Sequence, residues 1–286
     1  MRRLLVLTLV ASGLALPVLA DPLPVDFEVH KFNGSQRPAT QDGITTFHVA
    51  PKECSNVDYG DGRGESDCKN GSVKSIIRYT RDTKVGESFE YKFDLQFDMS
   101  TFKYTGEFRR DAVPFSPGGW DSSLRLASWE GPFIKDFVYI LKASTTKGVT
   151  FMGRECQSPE KLGEWLSFSL KVRWANDSKG WVVATCDGKP IYVEEGVVTT
   201  RQTQCYLANE CTPGITRKPK SLNFILGLSF NGYGNGWKEY APSLFRDMQS
   251  DGITMLARNV SVTKGVALYG PDETSQVAAL QAKLSE

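Results

Sequence analysis

The sequence predicts an all-β protein, an antiparallel β-sandwich, and two alternating stretches and one hairpin carry that prediction. Residues 89–98 alternate strictly between apolar and polar side chains, and residues 166–174 do the same. A period of two places one apolar face of each strand on a core. The charged face of the first stretch then points to water or to a groove, as in a two-layer sandwich. The apolar members of that stretch are Phe89, Tyr91, Phe93, Leu95 and Phe97.

The hairpin follows the second stretch and turns it into a three-stranded meander. A turn at residues 176–180 leads into a strand at Trp181–Cys186, and Asp187-Gly188 then leads into Pro190–Glu194. The Asp-Gly dipeptide readily accepts positive φ and is a strong signal for a tight β-hairpin. The sequence therefore predicts three neighbouring antiparallel strands here.

The other predicted elements follow from short apolar or alternating runs bounded by Gly, Pro, Asn and Asp. One amphipathic helix is expected at Glu273–Leu284, with Val277, Leu280 and Leu284 on one stripe. The further strands are expected at Ile44–Val49, Val73–Tyr79, Leu124–Glu130, Phe137–Lys142, Leu222–Asn231 and Ile253–Thr263.

The first 20 residues have the three parts of a secretory signal peptide. Arg2-Arg3 precedes the apolar run Leu4–Leu16, and Val18 and Ala20 are the small residues before a cleavage site. The apolar run is shorter than the ~20 residues that a membrane span needs. We expect residues 1–20 to be removed and residues 21–286 to form a single domain that is secreted or periplasmic, without a membrane segment.

Composition argues against several classes of partner. With 34 Lys and Arg against 33 Asp and Glu, the net charge is +1, so bulk electrostatics predicts neither nucleic acid nor an anionic membrane as a partner. Any attraction for an acidic ligand must come from local clusters. There are only two histidines, His30 and His48, and no C-x-x-C pair, so we predict no metal site and no cofactor. We also expect a monomer.

The six cysteines are an even number in a chain predicted to be exported, which favours disulfides. Proximity in sequence suggests Cys54–Cys68 and Cys205–Cys211, which leaves Cys156 to pair with Cys186. Six cysteines allow fifteen connectivities, so this is one hypothesis among several.

The loop closed by Cys54 and Cys68 is rich in glycine and acidic residues, a composition that could indicate calcium. Its spacing departs from the D-x-D-x-D-G calcium loop and lacks the terminal Glu. We interpret the loop as a solvated turn. Its acidic residues are Asp58, Asp61, Glu65 and Asp67.

The order of these motifs resembles a known enzyme family. The segments RYTRDTKVGESFEYKFDLQFD, LRLASWEGP, LGEWLSFSLKVRWANDSKGWVVATCDGKPIY, NFILGLSFNGYG and ITMLARNVSVTKG look like those of the heparin lyase I-like polysaccharide lyases. That group shares the concanavalin A-like jelly roll with alginate and glucuronan lyases. The resemblance covers about residues 25–270, and it implies a secreted lyase that cleaves a uronic-acid-containing polysaccharide by β-elimination.

The resemblance also implies where the chemistry lies, although three motifs differ. Such lyases carry an Arg and an acid on an early strand, a Gln-x-His pair, and a Tyr-Phe-Lys-x-Gly-x-Tyr strand. Here the matching segments read Lys74–Arg78, Ser128-Trp129-Glu130 and Asn223–Ser229.

From this resemblance we derive candidate site residues for the elimination. The chemistry needs a cation for the uronate carboxylate, a base for H5 and an acid for the leaving oxygen. Glu130 is the candidate base, and Tyr233 or Tyr139 is the candidate acid. The candidate substrate-binding residues are Arg78, Arg125, Asn231 and the sugar platforms Trp129 and Trp237.

Two other functions compete with this hypothesis. A non-catalytic carbohydrate-binding protein would use the platforms without a converging acid and base. A retaining glycoside hydrolase would need two carboxylates about 5 Å apart, and the sequence lacks an E-x-D-x-x-E run. A serine hydrolase is poorly supported, since no G-x-S-x-G occurs.

Overall fold

The fold is an antiparallel β-sandwich, as the sequence predicts. The computed structural model describes residues 21–34, 36–50, 53–60, 64–70, 72–100, 124–131, 137–144, 147–200, 203–204, 216–231 and 252–268. Within them two sheets pack face to face and bury one continuous core. The predicted helix at Glu273–Leu284 lies outside the described residues.

The first sheet, sheet I, has eight strands among the described residues. β5 (Thr83–Lys84) pairs only with the start of β16. The other strands, in spatial order, are β1 (Phe27–Val29), β4 (Ser72–Tyr79), β16 (Ser221–Asn231), β7 (Leu124–Glu130), β8 (Phe137–Ser144), β9 (Gly148–Phe151) and β10 (Arg154–Gln157).

The second sheet, sheet II, has seven strands in the same part of the chain. Its spatial order is β13 (Lys189–Val197), β12 (Gly180–Cys186), β11 (Leu166–Arg173), β6 (Ser88–Phe97), β17 (Ile253–Lys264), β3 (Ile44–Val49) and β2 (Ala39–Gln41). The smaller elements are the strand pair β14 (Thr203–Gln204) and β15 (Thr216–Arg217), the helix α1 (Asp67–Asn70) and a 3-10 turn at Pro159–Lys161.

The predicted meander is confirmed, because β11, β12 and β13 are consecutive neighbours in sheet II. At the hairpin tip Asp187 and Gly188 both adopt positive φ, 49° and 73°. This backbone matches the right-handed twist of the flanking strands. β1, β2, β9 and β10 are short strands that the sequence pattern did not predict.

The core lies between the inner faces of the two sheets and is unusually aromatic. The alternation predicted for β6 is confirmed, since Phe89, Tyr91, Phe93, Leu95 and Phe97 are all buried. Phe93 stacks on Phe168 of β11 with ring centroids 5.2 Å apart. The polar faces of these strands consequently point away from the core.

Two of the predicted disulfides are present, Cys54–Cys68 and Cys156–Cys186. The second joins β10, at the edge of sheet I, to β12 of sheet II. Cys205 and Cys211, the third predicted pair, lie outside the described residues. None of the helices in the described part of the chain has the length and apolar character needed to span a lipid bilayer.

Candidate functional site

The outer face of sheet I carries three basic side chains in one row across neighbouring strands. The register places Ser229 of β16 opposite both Lys74 of β4 and Arg125 of β7, and Arg125 opposite Lys142 of β8. Their chain neighbours Val73, Leu124, Leu141 and Ala143 are buried in the core, so the alternation turns the basic side chains outward. We call Lys74, Arg125 and Lys142 the basic row. Neighbouring strands are about 4.8 Å apart, so the row spans several strand widths.

Arg125 and Glu130, both predicted as site residues, meet at the centre of this face. Arg125 Nη1 lies 3.6 Å from Glu130 Oε1, and the two side chains are 26% and 20% exposed. Ser128 Oγ donates a hydrogen bond of 2.6 Å to the same carboxylate oxygen. The guanidinium also lies over the Phe137 ring, 3.9 Å from its centroid. These contacts fix the guanidinium and the carboxylate side by side without burying either completely.

Burial weakens the basicity of two members of the row, Arg125 and Lys142. It lowers the pKa of Arg125, while the carboxylates of Glu130 and Asp67 act in the opposite direction. Desolvation also lowers the pKa of Lys142. Arginine keeps its charge at any physiological pH, so the row presents fixed positive charge to a ligand.

A second polar cluster lies at the β4 end of the row and is supplied by the disulfide-closed loop. Asp67, the first residue of α1, is 0% exposed and accepts hydrogen bonds from Tyr59 Oη at 2.5 Å and Lys74 Nζ at 2.6 Å. Lys74 Nζ also lies 5.4 Å from the ring centroids of Phe32 and Tyr59. Burial, followed by the hydrogen bond to Asp67, raises the pKa of Tyr59. Tyr59 is thus a hydrogen-bonding phenol and not a phenolate base.

His30 stands beside this cluster, at the end of β1. Burial, and then the charges of Lys74 and Arg78, lower its pKa to about 4. Its Nδ1 accepts the Phe32 N–H at 3.3 Å, so in the neutral ring Nε2 carries the proton. Nδ1 is therefore occupied as an acceptor, and the neutral ring can donate a hydrogen bond through Nε2.

Two predicted site residues point the other way, into the core. Trp129 is 0% exposed and stacks on Phe224 with ring centroids 5.1 Å apart, and Tyr139 is 4% exposed beside Phe151. Burial raises the pKa of Tyr139. A sugar platform needs an open ring face and a proton donor needs access to substrate, so the structure places neither residue where its predicted role requires it. A bulge between Arg125 and Ala127 interrupts the alternation in the segment LRLASW, whose residues are mostly apolar. Alternation alone therefore could not show which side chains of β7 point into the core.

The remaining predicted residues divide into one at the edge and three without described side chains. Arg78 is on the outer face of β4, but it is 43% exposed and its Nη2 lies 2.5 Å from Glu28 Oε1 of β1. Asn231 ends β16 opposite Ser72, and only its backbone is described. Tyr233 and Trp237 lie outside the described residues.

The described part of the acidic loop shows no arrangement that would hold a cation. Asp58 Oδ1 accepts the Gly60 N–H at 2.6 Å within its own turn, and Asp67 faces Tyr59 and Lys74. Among the described residues no group of three His, Cys, Asp or Glu side chains is placed to bind a metal ion. Asp61 lies outside that part of the chain.

Sequence reasoning missed Lys74, Lys142, Tyr59 and Asp67 as members of this face. Alternation around Lys74 and Lys142 could have indicated that both basic side chains point outward from their strands. Tyr59 and Asp67 come from a loop, and only long-range contacts place them. Such long-range contacts leave no periodic pattern in the sequence.

Comparison with known proteins gives similarity in structure alone. No protein-family profile matches the sequence, and no curated protein matches it significantly. Similar solved structures include an endo-β-1,4-glucuronan lyase from the fungus Trichoderma reesei, with 15% identity over 86% of this chain and 91% of that one and a TM-score of 0.44. A mutant of the alginate lyase Aly36B bound to an alginate tetrasaccharide has 10% identity, covers 82% and 85% of the two chains, and has a TM-score of 0.44. The exolytic alginate lyase AlyA5 from Zobellia galactanivorans has 7% identity, coverage of 83% and 91%, and a TM-score of 0.43. At these identities a common activity does not follow.

The geometry itself limits what this face can do. It presents cations on three strands, one carboxylate held by Arg125 and Ser128, and a phenol fixed by a buried carboxylate. Such a face suits an extended ligand that carries acidic groups.

Proposed function

We propose that this chain is an exported polysaccharide lyase that binds a uronic-acid-containing polymer across the outer face of sheet I and cleaves it by β-elimination. The observation that carries the proposal is the basic row, with Glu130 beside its central member Arg125. The row contains no acidic residue, and the acids near it approach from a loop or from farther along β7. A polyanion laid across the strands would meet positive charge on β4, β7 and β8, with Ser229 of β16 in between.

The cations would promote the first step of the elimination. Removing H5 of a uronate places negative charge on the C6 carboxylate, and a guanidinium against that group stabilises the charge as it develops. Arg125 is a planar donor that can bind a carboxylate through two N–H groups. Its only described acidic partner is 3.6 Å away, so the pair is loose enough for a substrate carboxylate to compete.

Glu130 would be the base. Both of its described contacts, with Arg125 and with Ser128, use Oε1, which leaves Oε2 to accept H5. The electrons of the C5–H bond form the C4=C5 double bond, and the C4–O bond breaks. The leaving oxygen must then gain a proton.

The proton donor is assigned to one of two groups. Tyr233 follows from the family resemblance and lies outside the described residues. Lys142 lies next to Arg125 in the row, and because desolvation lowers its pKa, its ammonium gives up a proton more readily than an exposed lysine does.

Other properties of the chain are consistent with this proposal. Two disulfides suit an oxidising compartment outside the cytoplasm. Glucuronan and alginate, the polymers acted on by the structurally similar lyases, are the first substrates to test.

A second function, non-catalytic binding of the same polymer, is favoured by a specific observation. Glu130 already faces a cation, and the pKa values of Tyr59 and Tyr139 are both raised by burial. No phenol described on this side of the protein is activated as a base. A groove with these groups binds uronate even where elimination is slow.

The product of elimination gives a direct test. Its C4=C5 double bond is conjugated with the carboxylate and absorbs in the near ultraviolet, so turnover is followed as an absorbance increase with glucuronan, alginate, heparin-type and pectic polymers. The proposal predicts a rise with one of them that is lost in Glu130→Gln and in Arg125→Gln. Retained binding without any rise selects the binding protein, and no binding to any of the polymers overturns both.

A further inference from the structure

Asp67 is a buried charge whose place in the fold is not explained by packing. It is fully buried, and in the described part of the chain its Oδ2 has no hydrogen-bond partner, while Oδ1 accepts two. A buried carboxylate left half satisfied costs free energy. A buried group that keeps such a cost is a candidate for a functional role.

The contacts of Asp67 show what it holds. One oxygen fixes both Tyr59 Oη and Lys74 Nζ, and the Tyr59 ring packs edge-on against Phe32 with centroids 5.2 Å apart. Lys74 keeps 18% of its side chain exposed. A long lysine side chain ordinarily samples many rotamers, and this one is held at a single point at the end of the basic row.

The loop that supplies Asp67 is itself fixed at both ends. Cys68, the next residue, forms the disulfide with Cys54, and its N–H donates to the Ser55 carbonyl at 3.1 Å. The Tyr59 N–H donates to the Glu65 carbonyl at 2.9 Å. These contacts tie Tyr59 and Asp67 to the described parts of the loop beside the outer face of sheet I.

We propose that Asp67 is a positioning residue for recognition of the acidic polymer, acting through Lys74 and Tyr59. It holds an ammonium and a phenol at the β4 end of the face, so that the polymer meets a preorganised ammonium donor and, because the Tyr59 O–H is already given to Asp67, a phenol oxygen that accepts from a sugar hydroxyl. This inference rests on the proposed function, since it assumes a polymer on that face. Preorganised donors bind with less loss of side-chain entropy than mobile ones.

The variant Asp67→Asn separates this role from simple electrostatics, because the two explanations predict opposite changes in affinity for the polymer. Removing a negative charge from a cationic face should strengthen binding of a polyanion if charge alone matters. Loss of positioning should weaken binding of polyglucuronate about tenfold, or about 1.4 kcal/mol, measured by titration calorimetry. Tyr59→Phe, which keeps the ring and removes the phenol oxygen, should weaken binding about threefold. Glu65→Gln, on the same loop, is the matched charge-removal control and should not weaken it.

A second readout tests positioning without any ligand. Lys74 should resist reductive methylation by formaldehyde in the wild-type protein and become reactive in Asp67→Asn, as measured by mass spectrometry of peptides, with exposed Lys92 reactive in both. Tighter binding by Asp67→Asn, or equal Lys74 reactivity in both proteins, would overturn the inference. If the wild-type protein binds no uronate polymer, the proposed function fails and with it the recognition role. The methylation result then still decides whether Asp67 fixes Lys74.

Discussion

The two outer faces of the sandwich differ in how their charges are arranged. On sheet II the acids of β6 are matched by adjacent partners. Asp94 contacts Arg258 at 3.2 Å, Asn259 at 2.7 Å and Ser167 at 2.7 Å, and Glu90 lies 3.0 Å from Lys92. On sheet I three basic side chains share one row, and the carboxylates that meet two of them lie outside that row: Asp67 is 2.6 Å from Lys74 and Glu130 is 3.6 Å from Arg125. Opposite charges are therefore interleaved on sheet II, whereas the cations of sheet I are lined up, and we expect the proposed polymer to bind to sheet I.

The largest predicted effect concerns Trp129, which points into the core from β7, the strand that carries Arg125. If the polymer binds to the outer face, replacing Trp129 should lower stability and leave the affinity unchanged. Trp129→Ala should lower the free energy of unfolding by about 3–5 kcal/mol through the cavity that it leaves, measured by denaturant titration. At temperatures where the variant is folded, its affinity for polyglucuronate should be that of the wild type. A selective loss of affinity with stability intact would return Trp129 to the role of a sugar platform.

The next effect compares one arginine from each outer face. Arg125→Gln should weaken binding of polyglucuronate by about 2 kcal/mol, roughly thirtyfold, because it removes a charge-assisted contact. Arg258→Gln should change binding less than about twofold, since Arg258 lies against Asp94 and over the Trp165 ring on sheet II. Titration calorimetry on both variants gives the ratio of their affinities for polyglucuronate. Equal losses of affinity would show that the two outer faces do not differ in polymer binding.

A smaller effect concerns pH, through His30. Its folded pKa of about 4 lies below the unfolded value of 6.5, so the unfolded chain takes up the proton first as pH falls. The stability that His30 contributes is complete above pH 6.5 and is lost between about 6.5 and 4. After allowance for solvent screening the loss should be roughly 1–2 kcal/mol.

The variant His30→Gln isolates this contribution from the other titrating groups. The difference in unfolding free energy between wild type and variant should shrink as pH falls from 6.5 to 4, measured by denaturant titration at several pH values. A difference that stays constant over this range would show that His30 titrates normally in the folded protein.

The smallest effect is predicted for Arg78. Its exposed ion pair with Glu28 at the edge of sheet I is of the kind worth less than about 1 kcal/mol. Arg78→Gln should change both stability and polymer affinity only slightly, by calorimetry and denaturant titration. A loss as large as that of Arg125→Gln would extend the binding face to the edge strand.

The sandwich could be predicted from the sequence because the strongest sequence signals are local. The alternation in β6 and β11 and the Asp187-Gly188 turn are each specified by neighbouring residues. The choice of Arg125 and Glu130 follows from the family resemblance and not from a local pattern. Trp129 and Tyr139 could not be assigned to a face, since bulges shift the register of β7 against β8. Tyr59 and Asp67 reach the site only through the fold.

Binding of a uronate polymer and of its carboxyl-reduced counterpart is the most direct test of the claim that the outer face of sheet I recognises acidic groups. We predict that calorimetry at low salt shows binding of polyglucuronate that weakens as salt is added, and no binding of the neutral polymer. Equal affinity for both polymers, or none for the acidic one, would contradict the account.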